Sequence, residues 1–348
     1  MGVPPSMKQA ASLNLPTDVL RRNALPSMIG MSRWLSRYVN TRAFPAAAAV
    51  TEVTAVDPWL AFFKPYFDDI TGALEGLIDN AAFASAPSTD VKIPSTIDGV
   101  DVETIGNNLF EYNTLITSVS IPDSVTSIGN YSFRETSSAQ SITFGPGSLL
   151  GSIADWTFFD AGLTSIAIPD NVTSIGFGSF YGAFALTDVT FGTGSLLTSI
   201  DNYAFKSAPL TSIAIPDKVT SIGSNCFSNC IHLDIVTFGP SSLLETINAY
   251  AFYQNGFTSI TIPSGVTAIK ASAFNACTSL TNVWFKNKTP PGTIGDDVFL
   301  GTNVTKIYVG TVVGDGAAFF NDLVAQVGGI GNLPTWPQLI GDYEDGPL

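Results

Sequence analysis

From about residue 90 onward the chain keeps repeating one arrangement of apolar and polar positions. In Leu163-Thr164-Ser165-Ile166-Ala167-Ile168 apolar residues alternate with small polar ones. That period of two predicts a short strand with Leu163, Ile166 and Ile168 on its buried face. Pro169 follows at once, as Pro122, Pro216 and Pro263 follow the equivalent segments. A residue without an N–H cannot extend a ladder, so each strand should stop after about five residues. Val172 and Ile175 continue the apolar series, and Phe180 stands five residues after Ile175. The same Ile recurs at Ile105, Ile128, Ile153, Ile200, Ile222, Ile247, Ile269 and Ile294. The same Phe recurs at Phe110, Phe133, Phe158, Phe205, Phe227, Phe252, Phe274 and Phe299.

Ile121, Ile168, Ile215 and Ile262 are spaced by 47 residues, as are Phe144, Phe191, Phe238 and Phe285. Each period contains two similar halves, so the coils alternate between 23 and 24 residues. A fixed period of this kind predicts a solenoid. Stacking turns the Ile and Phe series into continuous columns through the core, which accounts for the 24 Phe without any ligand. Gly106, Gly129, Gly176, Gly223 and Gly295 follow the recurrent Ile, with Asp201 and Asn248 in two other coils. These residue types tolerate positive φ, so a tight turn that favours that conformation is expected there, although Ala154 and Lys270 depart from it.

The pattern L-x-x-I-x-I-P-x-x-V-T-x-I-G-x-x-x-F, with a Cys-x-x-Leu step such as Cys277-Thr278-Ser279-Leu280, resembles the BspA-type (Treponema pallidum type) leucine-rich repeat. The resemblance covers roughly residues 90–310, where nine or ten coils match in register. It implies a right-handed leucine-rich-repeat solenoid with short parallel strands on one face, and an association with surface adhesion and partner binding. The asparagine ladder of commoner leucine-rich repeats is expected to be absent, because Pro falls where that consensus would continue.

Of the residues, 45 % are hydrophobic and only 13 % charged, with Ser and Thr covering the surface. The net charge of −14 is uneven: residues 1–45 hold Lys8, Arg21, Arg22, Arg33, Arg37 and Arg42 against Asp18 alone, so the remainder carries −19. That sign argues against nucleic-acid binding by the repeats. No apolar run is long enough to span a membrane, and MGVPPSMKQAASLNLPTDVL lacks the basic-then-apolar order of a secretory signal. Either the chain is not exported by that route or a leader has been removed.

Three regions follow: 1–89, an N-terminal helical anchoring or capping region; 90–310, the solenoid; and 311–348, a C-terminal cap and tail. Residues 15–40 have helical character with a basic face. Trp59, Phe62, Phe63, Tyr66 and Phe67 suit either a cap on the open core or an assembly contact. Pro65 breaks any single helix, and residues 68–78 read as a short helix. Residues 304–309 read as the last strand, residues 316–328 as a capping helix and residues 329–348 as an irregular tail.

Candidate chemistry is sparse. Cys230 and Cys277 occupy the same repeat position two coils apart, about 9–10 Å, too far for a disulfide, and with Cys226 they read as core thiols. His232 is the only histidine and reads as a surface turn residue. Asp123, Asp170 and Asp217 line one rim about 9–10 Å apart, too wide for a paired-carboxylate mechanism. The Gly145-Pro146-Gly147 and Gly192-Thr193-Gly194 segments read as turns, and no cofactor or metal is expected. Outward strand positions are mostly Ser, Thr and Ala. Towards the C-terminal end, however, the sheet presents Trp284 and Tyr308 beside Asn282, Lys286 and Lys306, with Ile235 as an apolar point. Exposed aromatics with polar neighbours anchor proteins or sugars, unless the capping helix covers them through Phe319 and Phe320. The chain therefore reads as a non-enzymatic, adhesin-like recognition module on a cell or particle surface, with a protein or glycan partner. The alternative is a structural subunit of a virion or appendage that docks and self-assembles through residues 1–89.

Overall fold

In the computed structural model of the chain, residues 57–287, 291–309 and the backbone of 338–340 are described. The expected helices at 15–40 and 316–328, with Phe319 and Phe320, lie outside these residues. The chain folds as a β-solenoid of about nine turns. Each coil contributes a four-residue strand, such as Ser165–Ile168, and a two-residue strand, such as Ser174–Ile175. The two-residue strands form one eleven-stranded ladder running from Phe67–Asp68 to Thr293–Ile294. It is parallel throughout except for its first pair. Its register places Ile128, Ile153, Ile175 and Ile200 in line, as the repeat predicts.

The four-residue strands pair fully within each 47-residue unit, whereas pairing between units varies along the solenoid. All four residues of Ser165–Ile168 pair with Asp188–Phe191, and all four of Ser212–Ile215 with Ile235–Phe238. Between units, Asn282–Phe285 pairs with all four residues of Lys306–Val309, only Ser141 and Ser165 bridge at an earlier junction, and the sheet is interrupted after Asp188–Phe191 and after Ile235–Phe238. The two half-units differ in how they cross between strands. Seven residues separate Ile168 from Ile175, against nine from Phe144 to Ile153. The short strands therefore recur at alternating steps of 22 and 25, as in Ser152, Ser174 and Ser199, while the long strands keep the 23 and 24 of the repeat.

The recurrent Thr of V-T-S and L-T-S braces one coil on the next. Thr173 Oγ1 donates to the Gly151 carbonyl at 3.0 Å, and Thr198 Oγ1 to the Thr173 carbonyl at 3.0 Å. Thr164, Thr187 and Thr211 repeat the bond on the other side. Inside, Leu163, Ile166, Ile168, Val172, Ile175 and Phe180 are all buried. The rings from Phe110 to Phe299 form a stack with centroids 5.0–5.6 Å apart and planes within 2–24°.

The turn after the recurrent Ile differs from expectation. Positive φ falls two residues beyond the Gly position and again four residues later, as at Trp156 (57°) and Asp160 (50°). This alternation turns every second N–H along the solenoid. Trp156, Phe158 and Asp160 donate to the Phe177, Ser179 and Tyr181 carbonyls of the next coil at 2.7–3.0 Å. Glycine is needed for close approach instead: a Cβ on Gly223 would lie 2.4 Å from the Asn202 nitrogen.

Three expectations at the ends are corrected. Residues 68–78 hold no helix: Phe67–Asp68 pairs antiparallel with Ala73–Leu74 in a hairpin around Gly72, whose φ is +65°, and residues 75–78 follow without regular structure. Ala73–Leu74 then pairs in parallel with Thr104–Ile105, so the ladder begins before the first coil legible in the repeat. Helix α1, Pro58–Phe63, is capped by the Asp57 carboxylate, which accepts from the Trp59 N–H at 2.9 Å. It sets Phe63 edge-on to Phe110, with centroids 6.2 Å apart and planes at 83°. The coils and these preceding residues belong to one compact unit that starts at Val56. Lys306–Val309 is not the last strand, because Gln338–Ile340 pairs with it in parallel.

Candidate binding surfaces

The structure separates the six residues expected to form a recognition surface. Trp284 and Tyr308 share a register position on adjacent strands, and their rings stack at 3.6 Å and 5°. Asn282 pairs with Lys306 beside them; Lys306 and Lys286 are exposed and Asn282 is half-buried. Tyr308 departs from expectation, being only 8 % exposed. One ring face lies on Trp284, and Gln338–Ile340 runs alongside with Ile340 in register. Trp284 is half-buried. Ile235 is 57 % exposed but stands apart from the other five, across an interruption of the sheet.

A larger aromatic surface, not singled out by the repeat pattern, lies on the turn side. Positions three and six residues after the recurrent Ile project there, carrying Tyr131 and Arg134, Trp156 and Phe159, Tyr203 and Lys206 on their respective coils. Phe177 and Tyr181 join them, and all of these side chains are half-exposed. Trp156 meets Phe177 at 5.1 Å and Phe159 at 5.3 Å, and Phe177 meets Tyr203 at 5.2 Å. The Trp156 ring lies across Gly178, where a Cβ would come within 2.6 Å of it. Arg134 closes one end, its guanidinium over Tyr112, Tyr131 and Phe159 at 5.2–5.6 Å, and it ion-pairs with Glu111 and Glu135. Lys206 Nζ sits 5.3 Å from both Tyr181 and Tyr203. Burial raises the Asp160 carboxyl above its ordinary range, helped by Glu135 and opposed by Arg134. A comparison of the same offset between coils, rather than along one coil, would have exposed this band.

Beside it runs an open groove of about 660 Å3 over the two-residue strands, lined by residues from Asn130 to Asn248. Its floor carries Ser152, Ser174, Ser199 and Ser221, and Asp155, Asp201 and Asn202 edge it. An Asx ladder, distinct in position from the asparagine ladder of commoner leucine-rich repeats, runs here. Asn107 Oδ1 accepts from the Asn130 N–H at 2.8 Å, Asn130 Oδ1 from Asp155 N–H at 3.2 Å, and Asp155 Oδ1 from Phe177 N–H at 2.8 Å. Phe177 interrupts it, and Asn202 resumes it by accepting from Ser224 N–H.

The Asp123 and Asp217 carboxylates accept N–H bonds from Gly147 and Ser241. Gly145, Gly192 and Gly239 lie so close to Asp123, Asp170 and Asp217 that a Cβ would strike the carboxylate at about 2 Å. The G-x-G segments are thus turns shaped around an acid of the previous coil. Cys226, Cys230 and Cys277 are buried free thiols. Cys230 Sγ donates to the Phe205 carbonyl and Cys277 Sγ to that of Phe252, while burial pushes both thiols up to about 12. His232 is exposed. Among the described residues no helix is long and apolar enough to cross a membrane.

The family model described as the BspA type leucine rich repeat region matches residues 103–205 and 198–322, in six copies. No curated protein matches the chain. Among solved structures, a leucine-rich cell surface protein from Faecalibacterium prausnitzii is 25 % identical, over 68 % of this chain and 70 % of its own, with a TM-score of 0.41. The Treponema pallidum leucine-rich repeat protein is 21 % identical, over 62 % and 76 %, with a TM-score of 0.36. The pneumococcal vaccine antigen PcpA is 18 % identical, over 78 % and 92 %, with a TM-score of 0.32.

Proposed function

Because the chain belongs to the BspA type leucine-rich repeat family, we propose that it is a non-enzymatic, adhesin-like recognition module. Its partner is a protein or glycan on another surface. The observation that carries this reading is the half-exposed aromatic band from Tyr131 to Tyr203. The core column is complete without these rings, since Phe133, Phe158, Phe180 and Phe205 already fill the interior. Contiguous aromatic surface beyond what the core needs is the usual mark of a recognition face. Arg134 and Lys206 sit over ring faces at its ends.

The test is adhesion of beads bearing the full chain to wells coated with mucin or with purified extracellular-matrix proteins. Tyr181→Ala combined with Tyr203→Ala should reduce adhesion at least tenfold, the loss expected of two interface anchors. The C-terminal end of the sheet is read in the same assay by Trp284→Ala with Lys306→Ala. Loss there and none in the Tyr pair would move recognition to that end. Adhesion to no surface by the unaltered chain would remove the reading.

A further inference from the structure

Resting on the recognition reading above, we propose that the groove over the two-residue strands binds a neutral carbohydrate chain, which would extend from the groove onto the neighbouring rings of Trp156, Phe177 and Tyr203. Its volume, about 660 Å3, lies within the range of small-molecule sites. Ser152, Ser174 and Ser199 occupy matching register positions on three successive coils. All three are half-exposed, and among the described residues their hydroxyls have no hydrogen-bond partner. Asp155 uses one carboxylate oxygen on the Phe177 N–H and keeps the other. Asn202 uses its carbonyl oxygen on Ser224 and keeps its NH2. Asp201 is exposed at the same edge.

The groove thus offers hydroxyls that donate and accept, carboxylates that accept, and an amide that donates. That set matches vicinal hydroxyls. No Lys or Arg lines it, and the two carboxylates would repel a phosphate, a sulfate or a uronate. A peptide strand fits less well, because the ladder already uses its backbone groups between coils and leaves none for main-chain pairing. Trp156, Phe177 and Tyr203 each directly follow a groove-lining residue, namely Asp155, Gly176 and Asn202. Half-exposed rings at such an edge supply flat apolar faces for the C–H side of a sugar. Adjacent strands are about 4.8 Å apart, close to the length of one pyranose in an extended chain. Successive sugars would therefore meet an equivalent hydroxyl on successive coils.

Titration calorimetry of the full chain with neutral gluco-, manno- and galacto-oligosaccharides of graded length tests this, with a heparin-derived oligomer as the anionic comparison. At least one neutral series should bind, with affinity rising with length up to about four sugars, the span of the serine-bearing strands. Trp156→Ala and Asp201→Ala should each weaken binding tenfold or more. Ser174→Phe, which fills the groove, should abolish it, with the denaturation midpoint of each variant reporting that it is folded. Binding of none of the neutral series, binding that survives Ser174→Phe, or binding of the anionic oligomer alone would overturn the proposal. The bead assay on the same protein separates the two ideas. Adhesion that depends on Tyr181 and Tyr203 without any sugar binding would leave recognition standing and remove the groove. Loss of both would remove both.

Discussion

Two glycines that look alike in the sequence do different work. Gly223 follows the recurrent Ile where the crossing between strands is short, and a Cβ there would lie 2.4 Å from the Asn202 nitrogen and from the Asp201 carbonyl carbon. Those are backbone atoms held by the ladder, so they cannot yield as a flexible side-chain end could. Gly151 immediately precedes the two-residue strand Ser152–Ile153 of the other half-unit, and the nearest neighbour of a Cβ there would be the Thr126 carbonyl oxygen at 3.8 Å. Gly223→Ala is expected to cost about 1–3 kcal/mol, the usual penalty for overpacking. Gly151→Ala should be neutral or slightly stabilising, because it only restricts the unfolded chain. Urea denaturation of the two variants beside the unaltered protein checks the difference. Equal effects would mean that the approach of the coil before does not set the identity of residue 223. The sequence showed that glycine recurs here but pointed to φ, since positive φ and close packing select the same residue. Only the structure puts positive φ on Trp156 and Asp160 and leaves Gly223 with a steric role.

The aromatic column is the element that periodicity made most legible. Phe205 lies 5.0 Å from Phe180 and 5.3 Å from Phe227, with planes within 4° of each. Phe205→Ala should cost about 3–5 kcal/mol, the range for losing a buried ring. In a solenoid each coil touches only its neighbours. Amide hydrogen exchange should therefore accelerate in the coils carrying Phe180 and Phe227 and change little around Phe110 and Phe274. A uniform loss of protection would show one cooperative unit instead. The Ile and Phe columns, the strand ends at Pro and the buried Cys could be read from spacing because each repeats at a fixed offset. The Asx ladder and the Trp156 band could not, because their members change type from coil to coil: Asn130, Asp155 and Phe177 in one, Tyr131, Trp156 and Gly178 in the other. The hairpin at Phe67–Asp68 and Ala73–Leu74 escaped for another reason. Its apolar residues are too few to distinguish a strand period from a helical one, and its pairing partner, Thr104–Ile105, is remote in sequence.

For the whole molecule, the place where the solenoid begins decides how any shortened chain should be interpreted. The repeat alone suggests a start near Pro87, just ahead of the first legible coil. That cut would remove Phe63 from the end of the ring stack and Ala73–Leu74 from the ladder. It would also remove the Ile78 N–H bond to the Leu109 carbonyl and the bond from Asn113 Nδ2 to the Ile78 carbonyl. Phe110 would be left facing water on an open core, with Thr104–Ile105 as an unpaired edge strand, and such ends associate. A chain starting at Pro87 is therefore expected to show a lower denaturation midpoint and concentration-dependent oligomers in light scattering. A chain starting at Val56 should keep the midpoint of the full protein, because the cap belongs to the same compact unit as the coils. If the Pro87 chain instead stays monomeric and equally stable, the hairpin and α1 are accessory. The contribution of residues 1–55 to assembly can be read only from the Val56 cut, where the core stays closed. Oligomers present in the full chain and absent from the Val56 chain would make the N-terminal segment an assembly element and favour the structural-subunit reading over a free-standing adhesin.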